Sequence, residues 1–388
     1  MSSISKPGRP LDLSRRFPGF DACPTPQVVV DAEALTGNIA RMAQVTRGKA
    51  ALHPHVKTHK SLAVAAMQRE AGAIGFTVAR ANEAGMILRA GLGPVTLAYP
   101  MIDPAEARRL LERAGEGELR FIADSPQGVS ALARATADAG RQTKVFVKVD
   151  VGLHRCGVDP HGEAAHALAR QIDDASHLVF AGLLSHAGHA YGAGDPNGIR
   201  AVARQELDLM AKLRDSLRRA GIEVPVVSVG STPTLIANAG FDGVDEVRPG
   251  NYAFLDLTAV RLGIAARDDV ALGIAARIVS ANGAYAIAGV GSKTLSSDLG
   301  AHGTSGTSSY GEAWVGGKDA PFTVEKLSEE HAFVRLDGRS LPIGAPVLIL
   351  PNHSCPVANL SGGLLLLARD EPPRLLSIDA RSNSDGQA

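Results

Sequence analysis

The chain has 388 residues, 45% of them hydrophobic and 21% charged, and its 40 basic residues balance 40 acidic ones. That length exceeds what one hydrophobic core ordinarily serves, so two domains are expected. The even charge balance leaves no electrostatic footprint for nucleic acid, and no stretch approaches the roughly 18–20 apolar residues of a spanning helix. Residues 1–20 also lack the apolar centre of an export signal, which predicts a cytoplasmic protein with no membrane partner. Cys23, Cys156 and Cys355 are odd in number and far apart, which points to reduced thiols with separate roles.

In chain order, residues 1–30 form an N-terminal segment with one early strand at 27–30, expected to pack with the far end of the chain. From 51 to 248 a single unit recurs: a short run rich in β-branched residues, a polar loop, then a stretch with helical periodicity. The strand runs are 51–56, 75–78, 95–98, 119–123, 144–149, 178–184, 226–229 and 245–247. Eight such units predict a (β/α)8 barrel over 31–261, with an open doubly wound sheet as the rival. After 262 the pattern alternates at 284–290, 332–336 and 346–350, which predicts an antiparallel β domain over 262–378. Residues 296–317 are rich in Gly and Ser without periodicity, and such a loop is mobile or builds a site. The tail 379–388 is expected to be disordered.

In a barrel the reactive groups gather after the strands. After the first comes His53-Pro54-His55-Val56-Lys57-Thr58-His59-Lys60, and after the fifth Asp150-Val151-Gly152-Leu153-His154-Arg155-Cys156-Gly157. Ser185-His186-Ala187-Gly188-His189-Ala190-Tyr191 follows the sixth, Gly230-Ser231-Thr232 the seventh, and Arg248-Pro249-Gly250-Asn251-Tyr252 the eighth. The loops after strands seven and eight are the usual phosphate site of a barrel. Backbone N–H groups freed by Gly230 and Gly250, the hydroxyls of Ser231 and Thr232, and a helix start near Pro233 would cradle a dianion. The alternative is that both glycines only serve turns. Gly291-Ser292-Lys293-Thr294 is no Walker loop, because Ser292 stands where that motif needs glycine. Lys57 would face the phosphate across the barrel mouth, where burial and nearby cations lower an amine's pKa toward the nucleophilic range. Taken alone, a lysine at a strand end is a surface group.

Together these segments resemble the D-serine dehydratase and D-threonine aldolase family of fold-type III, alanine racemase-like pyridoxal-phosphate enzymes. Pro54-His55-Val56-Lys57-Thr58-His59-Lys60 resembles its cofactor-lysine motif, which implies Lys57 as the Schiff-base lysine. Asp150-Val151-Gly152 with Arg155 and Gly157 is similar to the motif whose arginine faces the phenolic oxygen. Arg248-Pro249-Gly250, with Asn251 and Tyr252 following, is similar to the segment that approaches the pyridine nitrogen and binds phosphate. His186-Ala187-Gly188-His189 with Tyr191 resembles the dehydratase branch. The resemblance spans about 25–365, and a homodimer is implied with it.

Farther on, Pro351-Asn352-His353-Ser354-Cys355-Pro356 contains a His-x-Cys pair. By itself such a pair is more often structural than metal-binding. The resemblance implies a divalent ion beside the substrate's β-hydroxyl, and a thiolate favours zinc over manganese or magnesium. The expected activity is a lyase reaction on a small β-hydroxy-D-amino acid. In elimination Lys57 takes the Cα proton, the metal helps the hydroxyl leave, and a 2-oxo acid and ammonia result. In the aldolase alternative His189 takes the hydroxyl proton and glycine and an aldehyde result. Three remoter alternatives are a racemase using Tyr310, a cofactor carrier, and an amidohydrolase with His53, His55, His154, His186 and Asp256 as ligands.

Overall fold

The computed structural model describes residues 11–381 apart from 116, 238, 304 and 305. After strand β1 (Gln27–Asp31) come eight strands: β2 (Ala51–Leu52), β3 (Phe76–Val78), β4 (Val95–Leu97), β5 (Leu119–Ala123), β6 (Thr143–Lys148), β7 (Leu178–Leu184), β8 (Val226–Val229) and β9 (Glu246–Val247). They lie parallel in the order β2-β9-β8-β7-β6-β5-β4-β3. The two ends of that order meet, because Ile74 N–H donates to Leu52 at 3.0 Å and Thr77 N–H to Pro54 at 2.8 Å. An open sheet would leave these edges unpaired, so the arrangement is the barrel.

Helices begin where the sequence supplies a cap followed by proline. Asp103, Ser125 and Asp195 each accept a backbone N–H at the starts of Pro104–Arg113, Pro126–Asp138 and Pro196–Arg219. A side-chain cap of this kind stabilises a helix by about 1 kcal/mol, and proline's missing N–H costs nothing in the first turn. Gly182 marks an irregularity between β6 and β7. At its φ of +125° an added Cβ would stand 1.9 Å from the Val226 carbonyl, so no other residue fits.

The barrel interior is partly ionic. Arg120 on β5 reaches across to Glu246 on β9 at 2.6 and 3.3 Å and also bonds Thr96 at 2.9 Å and the His53 ring at 3.1 Å. A buried guanidinium persists only when its donors are satisfied in this way.

Eight further strands follow: β10 (Leu272–Ala281), β11 (Tyr285–Ala288), β12 (Gly311–Trp314), β13 (Phe322–Leu327), β14 (Ala332–Arg335), β15 (Pro346–Pro351), β16 (Gly363–Leu367) and β17 (Arg374–Ser377). Six of them close a small antiparallel barrel in the cycle β10-β11-β14-β13-β12-β15. β1 pairs antiparallel with β10 and parallel with β16. Phe17 and Phe20 pack with Trp314, Leu348 and Leu350 in one cluster, so the N-terminal residues share a core with these strands.

Two expectations change here. The stretch 296–317 is not wholly loop, since β12 occupies its end and pairs with β13 and β15. The tail does not lose order at 379, because Asp379 donates to the Lys60 carbonyl at 2.7 Å and accepts Leu62 N–H at 2.7 Å, and Ala380 is buried. Residues 382–388 lie outside the described residues.

Candidate active site

The C-terminal ends of the barrel strands and one face of the β domain enclose a cavity of about 200 Å³. His55, Lys57 and Thr58 enter it after β2, and His186 and Tyr191 after β7. Ser231 and Thr232 enter after β8, and Arg248, Gly250 and Asn251 after β9. The β domain adds Ala301, His302, His353 and Cys355.

Lys57 occupies a single 3-10 turn, Val56–Thr58, whose flanking Val56 and Thr58 side chains are buried and leave it facing the cavity. The His55 ring accepts Lys57 N–H at 3.4 Å. Burial lowers the Lys57 pKa, and the positive charges of Arg155 and Arg248 act the same way, against opposition from Cys355 and Glu83. A lysine so placed is readier to be a neutral nucleophile.

Across from it, Arg248 is buried with its Nε on Ser228 Oγ at 2.8 Å and Nη2 on the Ser185 carbonyl. Burial brings its pKa down to about 10, against the support of Glu206 and Glu246. One of the N–H groups expected to be open to a phosphate is already taken, because Gly230 donates to Glu206 at 3.3 Å, and the neighbouring Ser231 N–H goes to Thr234 Oγ1 at 2.9 Å. The Ser231 hydroxyl bonds Ala187 O at 3.2 Å. Thr232 Oγ1 accepts Tyr252 N–H at 3.1 Å and keeps its own proton to donate. Tyr252 is otherwise a core residue that does not line the cavity. At Gly250 the wall has no room for a side chain, because a Cβ would stand 3.2 Å from both His55 Cβ and Thr58 Oγ1. With Thr232 at the start of the helix Thr232–Ala237, this concavity fits a bound phosphate.

Three histidines of the wall are held neutral. Burial and the nearby Lys57 charge keep His55 and His186 well below the ordinary imidazole range and bring His302 down to about 4. His186 Nε2 is buried and finds no hydrogen-bond partner among the described residues. The His302 ring lies 5.5 Å from that of His186 and 5.3 Å from that of Tyr191. Burial, then Asp256 and Cys355, push the Tyr191 phenol up, so it stays protonated.

Lys57 and Tyr191 thus meet at one cavity, whereas His189 does not line it. Its ring packs on Gly152, where a Cβ would stand 3.2 Å away. Arg155 is exposed on the loop after β6 and acts on Lys57 through its charge rather than as part of the wall. His302 carries no periodic signal in the sequence, and it lies in the Gly/Ser-rich stretch 296–317, for which mobility and site-building are the two expectations.

The His353–Cys355 pair sits where β15 ends. His353 is the N-cap of the helix Ser354–Leu360 and Cys355 lies in its first turn, so the chain reversal turns both toward the barrel. His353 Nδ1 donates to Asp298 Oδ2 at 2.7 Å, and Cys355 Sγ bonds Thr58 Oγ1 at 3.3 Å. Burial opposes charge on both, yet Cys355 and Asp298 hold His353 pushed up to about 11, and His353 and Lys57 hold the Cys355 thiol down. A soft thiolate beside an imidazole fits a divalent ion such as zinc. Among the described residues no group of three or more metal-ligating side chains occurs. The hydrolase ligand set does not assemble: His53 is inside the barrel with Arg120, His154 is exposed beside Asp150, and Asp256 is a buried helix cap.

Comparison with known proteins agrees with this geometry. Residues 30–258 match the alanine racemase N-terminal domain, and residues 271–367 match the putative serine dehydratase domain. D-threo-3-hydroxyaspartate dehydratase of Delftia sp. (strain HT23) is 35% identical over 345 residues, covering 85% of this chain and 90% of its own. D-threonine aldolase of an Arthrobacter species is 28% identical over 367 residues, covering 93% of each chain. A solved D-threo-3-hydroxyaspartate dehydratase, a Cys-to-Ala variant in the metal-free form, superposes with a TM-score of 0.86 at 32% identity, over 92% of this chain and 98% of that one. No helix among the described residues is long and apolar enough to cross a membrane. With both domain matches in register with the two sheets, the chain belongs to the alanine racemase N-terminal domain family, in the group that joins this barrel to a serine dehydratase domain.

Proposed function

We propose that the protein is a pyridoxal-phosphate- and divalent-metal-dependent lyase that eliminates water from small β-hydroxy-D-amino acids, yielding a 2-oxo acid and ammonia. The observation that carries this is the shared cavity: the Lys57 amine and the His353–Cys355 pair line one space, close enough for the Cys355 charge to act on Lys57. Arg248, Thr232 and the Gly250 concavity supply the cofactor's polar contacts. When bound, pyridoxal phosphate supplies an electron sink for charge developing at Cα. Lys57 carries the amine for its attachment and afterwards accepts the Cα proton at Nζ, which its lowered pKa favours. His353 and Cys355 would hold the metal, zinc by the softness of the thiolate, and the ion would supply Lewis acidity at the β-oxygen. Tyr191, fixed as a neutral phenol, can donate a proton but not remove one.

Two further points support elimination. The dehydratase relative is 35% identical and the aldolase 28%, and His189, the base an aldol cleavage would use, is off the cavity wall. Retro-aldol cleavage stays as the second reading because Nε2 of neutral His186, which has no partner among the described residues, could take a hydroxyl proton. Incubation with D-serine, D-threonine and 3-hydroxy-D-aspartate, with zinc or manganese, separates the two. A 2-oxo acid and ammonia are expected, and release of glycine overturns elimination. Borohydride should fix the cofactor to a peptide containing Lys57, and its absence overturns the whole assignment.

A further inference from the structure

Asp298 lies on the chain between the helical turn Ser292–Leu295 and β12, just before the Ala301 and His302 that reach the cavity. Its carboxylate serves two partners at once. Oδ2 accepts from His353 Nδ1 at 2.7 Å, and Oδ1 accepts Gly300 N–H at 3.1 Å. The Asp298 N–H in turn donates to Ser296 Oγ at 3.1 Å, which closes the turn. An ionised carboxylate only accepts, so Nδ1 keeps its proton, and an ion binding at this pair would displace the proton on Nε2 and take that lone pair. We propose that Asp298 is a positioning residue of the metal centre, fixing the His353 ring and tautomer through one oxygen while the other holds the turn that seats His302.

The carboxylate is required by the count of acceptors. An asparagine has one acceptor oxygen and one donor nitrogen, so it cannot receive both the imidazole and the Gly300 N–H. With its nitrogen toward His353 it selects the opposite tautomer, whose Nε2–H blocks coordination. Asp298 is about one-third exposed, so its net charge is screened and the effect is carried by hydrogen-bond direction. The role presupposes that His353 and Cys355 hold a divalent ion, as proposed above.

The test titrates zinc into metal-stripped, cofactor-loaded enzyme against a chromophoric chelator. Asp298→Asn should weaken zinc by about 10- to 100-fold, the usual effect of losing such a partner, and Asp298→Glu should recover part of it. Ser296→Ala, which loosens the same turn at a side chain outside the cavity wall and leaves both Asp298 oxygens their partners, should bind zinc as the wild type does. Wild-type affinity in Asp298→Asn, or an equal loss in Ser296→Ala, overturns the proposal. A wild-type chain that binds no zinc overturns the metal role itself, which is a distinguishable failure. Histidine-selective nitrogen labelling of the zinc-loaded wild type reads the same point by NMR without substituting Asp298. The signal missing in His353→Gln should report a protonated Nδ1 and a metal-bound Nε2, and the reverse assignment overturns the proposal.

Discussion

Asp256 offers the most direct trial of how the two domains are joined at the site. It is fully buried, and its carboxylate accepts four N–H groups. Oδ2 takes Asn251 Nδ2 at 2.8 Å and Ser354 N–H at 3.0 Å, while Oδ1 takes Thr258 and Ala259 N–H at 3.1 and 3.3 Å. Asp256→Asn keeps the shape but turns one oxygen into a donor. Whichever way the amide turns, two N–H groups then face an N–H. Hydrogen bonds to a charged group contribute about 1.5–3 kcal/mol each, so two lost bonds should cost about 3–6 kcal/mol. Denaturant midpoints followed by far-ultraviolet dichroism and by cofactor absorbance would measure this, the two probes guarding against separate domain transitions. Because Ser354 stands between His353 and Cys355, the cofactor-loaded variant should also retain less metal. A variant within about 1 kcal/mol of wild type would refute the reasoning, since it would mean the four donors find other partners.

Gly250→Ala tests the phosphate concavity: its Cβ would press on His55 and Thr58 at 3.2 Å, and overpacking of about 1–3 kcal/mol should appear as weaker cofactor binding in an absorbance titration. Unchanged affinity would remove Gly250 from the cofactor site. Stability should also fall with acid. Burial brings His53 and His59 down to about 4, so between pH 6.5 and 4 the unfolded chain binds protons that the folded chain does not. Stability therefore rises with pH through that window, and each histidine should cost on the order of 2 kcal/mol on going from pH 7 to pH 5. Urea midpoints at the two pH values would check this, and a slope left unchanged by His59→Gln would contradict it.

What could be read in the sequence was whatever local pattern carries. All eight barrel runs appear as strands because each is an apolar β-branched stretch bounded by a helix signal, and Lys57, Arg248 and Cys355 were legible because each follows a strand in a dense polar segment. What could not be read depends on pairing between distant segments. The seam that closes the barrel rests on the N–H groups of Ile74 and Thr77, which no periodicity marks. The Gly230 N–H and the Ser231 hydroxyl carry no local sign of being occupied, but Glu206, on a helix some 24 residues earlier, takes the first, and the Ala187 carbonyl takes the second. His189 and His302 exchange places for the same reason: one is turned onto Gly152 by the local 3-10 turn, and the other arrives from the β domain.

The alignment of amine and metal pair follows from how the turn carrying Lys57 is held. Thr58 accepts the Cys355 thiol, and Lys60 Nζ reaches Asn359 at 2.7 Å, so the helix Ser354–Leu360 grips the turn from the β domain. On its other side Asp379 bonds the Lys60 carbonyl and the Leu62 N–H. The turn is short and its flanking side chains are buried, so it has little freedom to absorb a shift of that helix. A displacement of the β domain would therefore pull on Lys57 together with His353 and Cys355, and because His55 N–H donates to the Pro249 carbonyl at 2.8 Å the segment carrying Arg248 and Gly250 is held to the same turn. Substitutions at the domain junction should accordingly weaken cofactor and metal binding together, and a junction variant that lost one while keeping the other would refute the coupling.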